Sequence, residues 1–512
     1  MPQPFAGRNL PPSTLEAFAR FAGAETAGSA PRALPKRRKK RRASKVTVLL
    51  LLLSSLATGV ARHFRDQLFP PKSAAHPEAW DPRVVPLVGF VETERGLQFE
   101  HPVFVDFLAE ADFIALFAEP VAEAADPDEQ TYVRQASGLY NAKGLAVGYN
   151  PVVGEQTVSS VATLGFYSPA DDRVFVRGDV LTPAVRTVLA HELTHALQGQ
   201  HFDLDLGGEN DLELRSVVEA DAMRVEDKYR ATLTPEEQAA IEAEHTVNAD
   251  QAVVLDTVPD VVTETMYAPY ELGPLLVETV YAAKGNAGID ELIANPPSEM
   301  LLIDPSLYGS TVTDETIVVE APEGVTVLEA SRRLSALDVL LMLDTWLPWD
   351  LSRGAIDHWT GGGYVSYEQA DGVVCFSAVA QFAVSADSLN TALMWWAGAS
   401  GSTTVPTLAA NRVAFTSCDR GPAAAAPPEQ TLSTLSSLLF EHAFVEHEVA
   451  DAVAAGDVRP VPTLHALATC RARALASDQQ TVPLLLVEEW TPEQSQLAAG
   501  VAMNSEGICG VA

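Results

Sequence analysis

Apolar positions recur at helical spacing in PAVRTVLAHELTHALQGQ, where Val185, Leu189, Leu193 and Leu197 fall on one face. Thr182 ahead of Pro183 supplies an N-cap and a first-turn proline, so the helix is expected to begin there, run to about Gln198 and stop near Gly199. A second helix is expected over 211–229, after Gly207 and Gly208, and a strand over 173–177, RVFVR. Periodicity also predicts a helix over 104–120, another around 128–140, and strands in GLAVGYN and TVSSVATLGFY. Further on, 334–347 reads as a buried helix, and 363–380 as a hairpin turning at Ala370, Asp371 and Gly372. SLNTALMWWAGA then reads as a helix and NRVAFTSC as a strand. The expected class is α+β, with a mixed α/β C-terminal region.

The N-terminal 95 residues follow a different pattern. Residues 1–45 lack apolar periodicity and end in a basic run, Lys36 to Arg42 with Lys45; they are expected to be a disordered basic cytoplasmic tail. Residues 46–61 carry no charge. Sixteen residues rise about 24 Å as a helix, against roughly 30 Å of hydrocarbon, so 46–62 is expected to cross a membrane with Lys45 and Arg62 snorkelling. The positive-inside rule then places the rest outside, a single-pass protein of the cell membrane. The small-x-small pattern at Gly59, Val60 and Ala61 leaves open secretion after cleavage near Ala61. Residues 63–95 hold five prolines and read as a linker; 96–330 and 331–512 are expected to be two globular regions.

Charge narrows the partners. The chain is formally −34, and because residues 1–62 hold twelve Lys and Arg against Glu16 and Glu25, the remainder carries the whole acidic excess. Such a body repels phosphate backbones, which argues against a nucleic-acid partner. Cys375, Cys418, Cys470 and Cys509 are an even set in the C-terminal third, consistent with two disulfides outside the cytoplasm, with Cys375–Cys418 and Cys470–Cys509 the favoured pairing and four free thiols the alternative.

The chemistry lies in His191-Glu192-Leu193-Thr194-His195. At spacing i, i+4 two imidazoles leave one helix face and can share a metal ion, with Glu192 beside them. Imidazole suits one catalytic zinc ion, which needs a third protein ligand and keeps a position for water. Two residues offer themselves. Glu219 lies on the second helix, and His201 stands ten residues after His191, which resembles the third-ligand spacing of metzincins, although Gln198 occupies the position where that family has a glycine. Another acidic, histidine-rich stretch, EHAFVEHEVAD, reads as a solvated helix face.

The string LAHELTHALQGQHFDL, followed by VVEADA, PYELGPLLVETVY and NPPSEMLLIDPSLY, resembles a group of bacterial zinc metallopeptidases of the gluzincin type, over about 172–308. That resemblance implies a zincin-like metallopeptidase domain over 96–330, with His191, His195 and Glu219 as ligands and Glu192 as base; Asp221 departs from the expected spacing of the supporting carboxylate. The function expected is hydrolysis of a peptide or protein substrate by a zinc-activated water. Tyr267, Tyr270 or Tyr308 are candidates to stabilise the oxyanion, and strand 173–177 is expected to pair with an extended substrate. A catalytically idle zinc-stabilised scaffold and a zinc amidase acting on a non-peptide substrate are the alternatives.

Overall fold

The computed structural model describes residues 76–116, 127–146, 164–202 apart from Ala170, 211–247, 258–486 and 491–506, with scattered positions between them. The chain divides into two compact units: one from the described parts of 44–137 and 149–312, the other from those of 138–148 and 313–512.

The first unit opens with α1 (Val85–Arg95), a helix inside the stretch expected to be linker. Pro86 falls in its first turn, where a missing N–H costs nothing, and Leu87, Val88 and Val91 are buried. Next come β1 (Phe104–Leu108) and α2 (Glu110–Ala115), so the single helix expected over 104–120 is corrected to a strand followed by a short helix. FVDFL carries apolar residues on both alternating faces, with Asp106 the one charge, and parallel pairing with the later strand decides its state. Then follow α3 (Pro127–Ala142), β2 (Gly165–Ser168) and β3 (Arg173–Arg177). Among the described residues of TVSSVATLGFY, Gly165 to Tyr167 are strand while Thr157 and Val158 are helical; 159–163 and part of GLAVGYN lie outside the described residues. The sheet order is β1-β3-β2, with β3 parallel to β1 and antiparallel to β2.

A run of helices follows: α4 (Pro183–His201), α5 (Asp211–Thr232), α6 (Pro235–Val247), α7 (Asp260–Lys284), α8 (Asn286–Ala294) and α9 (Glu299–Ile303). Helix α4 starts as expected: the Thr182 hydroxyl accepts from the Val185 N–H at 3.2 Å. Val185, Leu189, Leu193 and Leu197 join α1, Val174 and Val176 in one core cluster. Helices α5 and α7 touch closely because Gly273 has no side chain; a Cβ there would stand 2.1 Å from the Ser216 carbonyl oxygen. With Arg224 stacked on Tyr281 at 4.4 Å, the two helices run in the same direction.

The second unit holds β4 (Glu315–Thr316), β5 (Thr326–Arg333), α10 (Ala336–Asp344), α11 (Trp349–Gly354), β6 (Trp359–Glu368), β7 (Val374–Phe382), α12 (Asp387–Ser400), β8 (Thr407–Ala409), β9 (Arg412–Cys418), α13 (Thr434–Ala454), α14 (Val461–Ser477) and α15 (Pro492–Glu506). The expected hairpin is β6–β7, closed by the Gly372 N–H donating to the Gln369 carbonyl. Its sheet runs β4-β6-β7-β9-β8, with β5 also on β6. Segment 138–148 is anchored here: the Ser417 hydroxyl donates to the Ala142 carbonyl, and the Trp346 indole to that of Gly144. Cys375 and Cys418 face each other across β7 and β9 and are disulfide-bonded. Cys470 is disulfide-bonded too; Cys509 lies outside the described residues.

Mixed helix and sheet agree with α+β, but one part of the expected class is corrected. Among the described residues no helix is long and apolar enough to cross a membrane, and 46–62 lies outside them. An apolar run of sixteen residues is shorter than a hydrocarbon core on its own rise, about 24 Å against 30 Å, so its lack of charge was an insufficient signal for a spanning helix.

Candidate metal centre

The site is made where α4 crosses α5. One face of α4 carries the aliphatic cluster, and another projects His191 and His195. On α5, Glu219 points back at them: its Oε2 lies 3.2 Å from His191 Nε2 and 3.1 Å from His195 Nε2, and the two nitrogens are 2.9 Å apart. Ligands held about 2.0–2.1 Å from a tetrahedral zinc stand roughly 3.3 Å from one another, close to this triangle. All three residues are buried and form the only group of metal-binding geometry among the described residues.

Hydrogen bonding fixes which atoms carry protons. Gln198 donates from Nε2 to the Val218 carbonyl (3.1 Å) and to Asp221 Oδ2 (2.8 Å), so its Oε1 is the atom that faces His195 Nδ1 at 2.9 Å. That nitrogen must therefore be N–H, leaving His195 Nε2 as a bare lone pair. His191 Nδ1 faces the Glu226 carboxylate at 3.1 Å, which favours the same tautomer. With both rings neutral, two imidazole lone pairs and a carboxylate oxygen converge with no proton between them, and Glu219 Oε1 is buried without a hydrogen-bond partner among the described residues. A cation resolves that conflict, and the donor set of two imidazoles and a carboxylate is one that zinc accepts.

Electrostatics point the same way. Burial pushes the His191 imidazole towards neutrality, but hydrogen bonds to Glu219 and Glu226 and the charge of Glu192 lift it well above its ordinary value. Burial likewise raises the Glu219 carboxyl, and the imidazoles of His195 and His191 overcome this and hold it below the usual carboxylate range. Both directions express a demand for positive charge inside the cage.

Glu192, fully buried, is held by β2: the Tyr167 N–H donates to its Oε2 at 2.8 Å. The approach is close because Gly165 lies over α4, where a Cβ would meet Val188 at 3.2 Å and the Phe175 carbonyl at 3.1 Å. The Glu192 carboxylate thus sits near His191, held by a backbone donor that no residue pattern announces.

No family model, curated protein or solved structure matches the chain. What the cage can do follows from its own atoms.

Other expectations separate cleanly. His201 does not join the cage; it is exposed and its Nε2 is 2.8 Å from the Gln98 carbonyl. With Gln198 in place of a turning glycine, α4 continues unbroken to His201 and carries it about 15 Å beyond His191. Tyr267 and Tyr270 are buried on α7, while Tyr308 hydrogen-bonds the exposed Lys284. Strand β3 cannot pair with a substrate, because β1 and β2 already occupy both its edges; β2 is the edge that faces Glu192. EHAFVEHEVAD lies on α13, where His442 pairs with Glu446 and His447 with Asp451 along one helix, while Glu441 is buried rather than solvated.

Two supporting residues escaped the sequence reading although a signal existed. Glu226 is seven residues after Glu219, hence on the same face of α5 two turns on, and Gln198 is three after His195 on α4.

Proposed function

We propose that the chain is a zinc-dependent peptide hydrolase whose metal is held by His191, His195 and Glu219, with Glu192 as general base. The observation that carries this reading is the convergence of His191 Nε2, His195 Nε2 and Glu219 Oε2 within 3.2 Å of one another, with both Nδ1 positions engaged elsewhere. Zinc bound there would supply a Lewis acid that polarises a carbonyl and lowers the pKa of water towards 7. The Glu192 carboxylate, fixed by the Tyr167 N–H, accepts the proton of the attacking water and returns it to the leaving amine. Glu226 and Gln198 keep the two imidazoles in the tautomer that leaves each Nε2 free to bind. A structural metal site asks nothing of residue 192, so a carboxylate there, aimed by a backbone donor, favours catalysis over a scaffold.

Hydrolysis of an unfolded protein, followed alongside metal content, tests the reading. Glu192→Gln is expected to retain zinc and lose about 10²–10⁴ in rate; equal rates for variant and wild type would remove the base. Glu219→Ala is expected to lose the metal and His201→Ala to keep it.

A further inference from the structure

A continuous buried chain leads away from His195. Gln198 Oε1 accepts from His195 Nδ1, Gln198 Nε2 donates to Asp221 Oδ2, and that same oxygen lies 2.7 Å from Arg95 Nε, with the Arg95 and Asp221 side chains both 0% exposed. Arg95 is the last residue of α1. We propose that Arg95 is a positioning residue of the metal centre, acting on His195 through Asp221 and Gln198, so that cation binding and the docking of α1 are one linked event. The proposal rests on the zinc reading above and adds a coupling to it.

Every member is pinned from a second side. Arg224 donates to Asp221 Oδ1 at 3.1 Å and to Asn286 Oδ1 at 2.9 Å. Asn286 in turn donates to the carbonyls of Glu94 and Arg95, which α1 leaves unused at its end. Arg95 also donates to Asp290 Oδ1 at 2.7 Å. Both side chains of the Arg95–Asp221 pair are wholly buried, so removing either partner leaves an uncompensated charge beside Gln198. Its electronic effect has a definite direction. A carboxylate accepting from the Gln198 amide polarises it, making Oε1 a stronger acceptor for the His195 Nδ1–H and Nε2 a stronger donor to a cation. The two histidines are thus supported unequally, His191 by a carboxylate directly and His195 by a carboxylate one amide removed. Mechanical continuity is also present, since Leu87, Val88 and Val91 of α1 share a core cluster with Leu189 and Leu193 of α4.

The test uses the full chain, stripped with a chelator and reloaded with zinc alone. Zinc affinity is measured by competition with a chromophoric chelator, and amide exchange is followed over 88–96 with and without saturating zinc. Wild type is expected to show zinc-dependent slowing of exchange in α1. Gln198→Met, which keeps the size and removes the polar groups, is expected to bind zinc about 10–100-fold more weakly and, once saturated, to leave α1 unslowed. Arg95→Lys keeps the charge without the planar fork and guards against loss of fold; its affinity should fall roughly threefold to tenfold. A purely structural role would lower thermal stability and leave both zinc readouts unmoved. Affinities within about twofold of wild type in both variants, or full α1 protection in zinc-saturated Gln198→Met, would overturn the coupling. Zinc uptake by wild type with no change in α1 would overturn it while leaving the zinc reading intact; no uptake at all would overturn both.

Discussion

At Glu226 a buried carboxylate meets His191 Nδ1 at 3.1 Å and receives Arg230 at 3.4 Å. Glu226→Gln keeps an acceptor for the imidazole and removes the charge, so the expected result is zinc affinity lowered by about 10–100-fold with the fold retained; competition titration against a chelator reads it. A different carboxylate governs the second unit's response to pH. Asp344 is buried at the end of α10, and burial raises its pKa from 3.8 to about 7 against the opposing hydrogen bonds of Thr434 and Gln430. The unfolded chain gives up this proton near 3.8 and the folded chain near 7. The stabilisation is therefore complete below pH 3.8, declines as pH rises across that window, and is gone above about 7. Its full size is about 4 kcal/mol, the free-energy equivalent of the gap between the two titration points. Asp344→Asn should flatten this dependence: urea midpoints of the second unit should match wild type near pH 4 and exceed it at about pH 8. A variant as unstable as wild type at the alkaline end would mean that Asp344 is ionised at no cost.

Between elements, helices α5 and α7 cross in close contact at Gly273. Gly273→Ala places a methyl 2.1 Å from the Ser216 carbonyl, which is backbone and cannot swing aside, so α5 must move. The expected cost is roughly 1–3 kcal/mol by chemical denaturation, with weaker zinc binding because Glu219 rides on the same helix. Unchanged affinity would show that α5 is held by α4 alone. The elements also show what the sequence could reveal. Helix α4 was legible because Thr182, Pro183 and four aliphatic positions at helical spacing are local signals. The cage was legible because i, i+4 geometry on one helix brings two imidazoles together without help from the fold. Strand β1 was not, since Phe104, Val105, Phe107 and Leu108 suit either state and pairing with a strand far along the chain decides. The place of β3 at the sheet's centre, and the Tyr167 N–H on Glu192, were illegible for a related reason: both depend on which backbones pair, and a backbone donor carries no residue identity.

Over the whole molecule each unit carries its own stabilising device, and the two answer to different reagents. In the first, five ionisable side chains, His191, Glu192, His195, Glu219 and Glu226, are buried together, an arrangement a cation favours in the folded state alone. Zinc at about 100 times its dissociation constant would stabilise that state by about 2.7 kcal/mol. In the second, the Cys375–Cys418 bridge closes a loop with a sequence separation of 43, worth about 4 kcal/mol by restricting the unfolded chain. Amide exchange resolved along the chain should separate these contributions. Chelator is expected to speed exchange in α4 and α5 while leaving β7 and β9 unaltered. A dithiol, which takes the oxidised pair to two thiols as it becomes a disulfide itself, should speed β7 and β9 and spare α4 and α5. The reverse pattern, or faster exchange in β7 and β9 on chelation alone, would mean that the metal acts outside the cage formed by His191, His195 and Glu219.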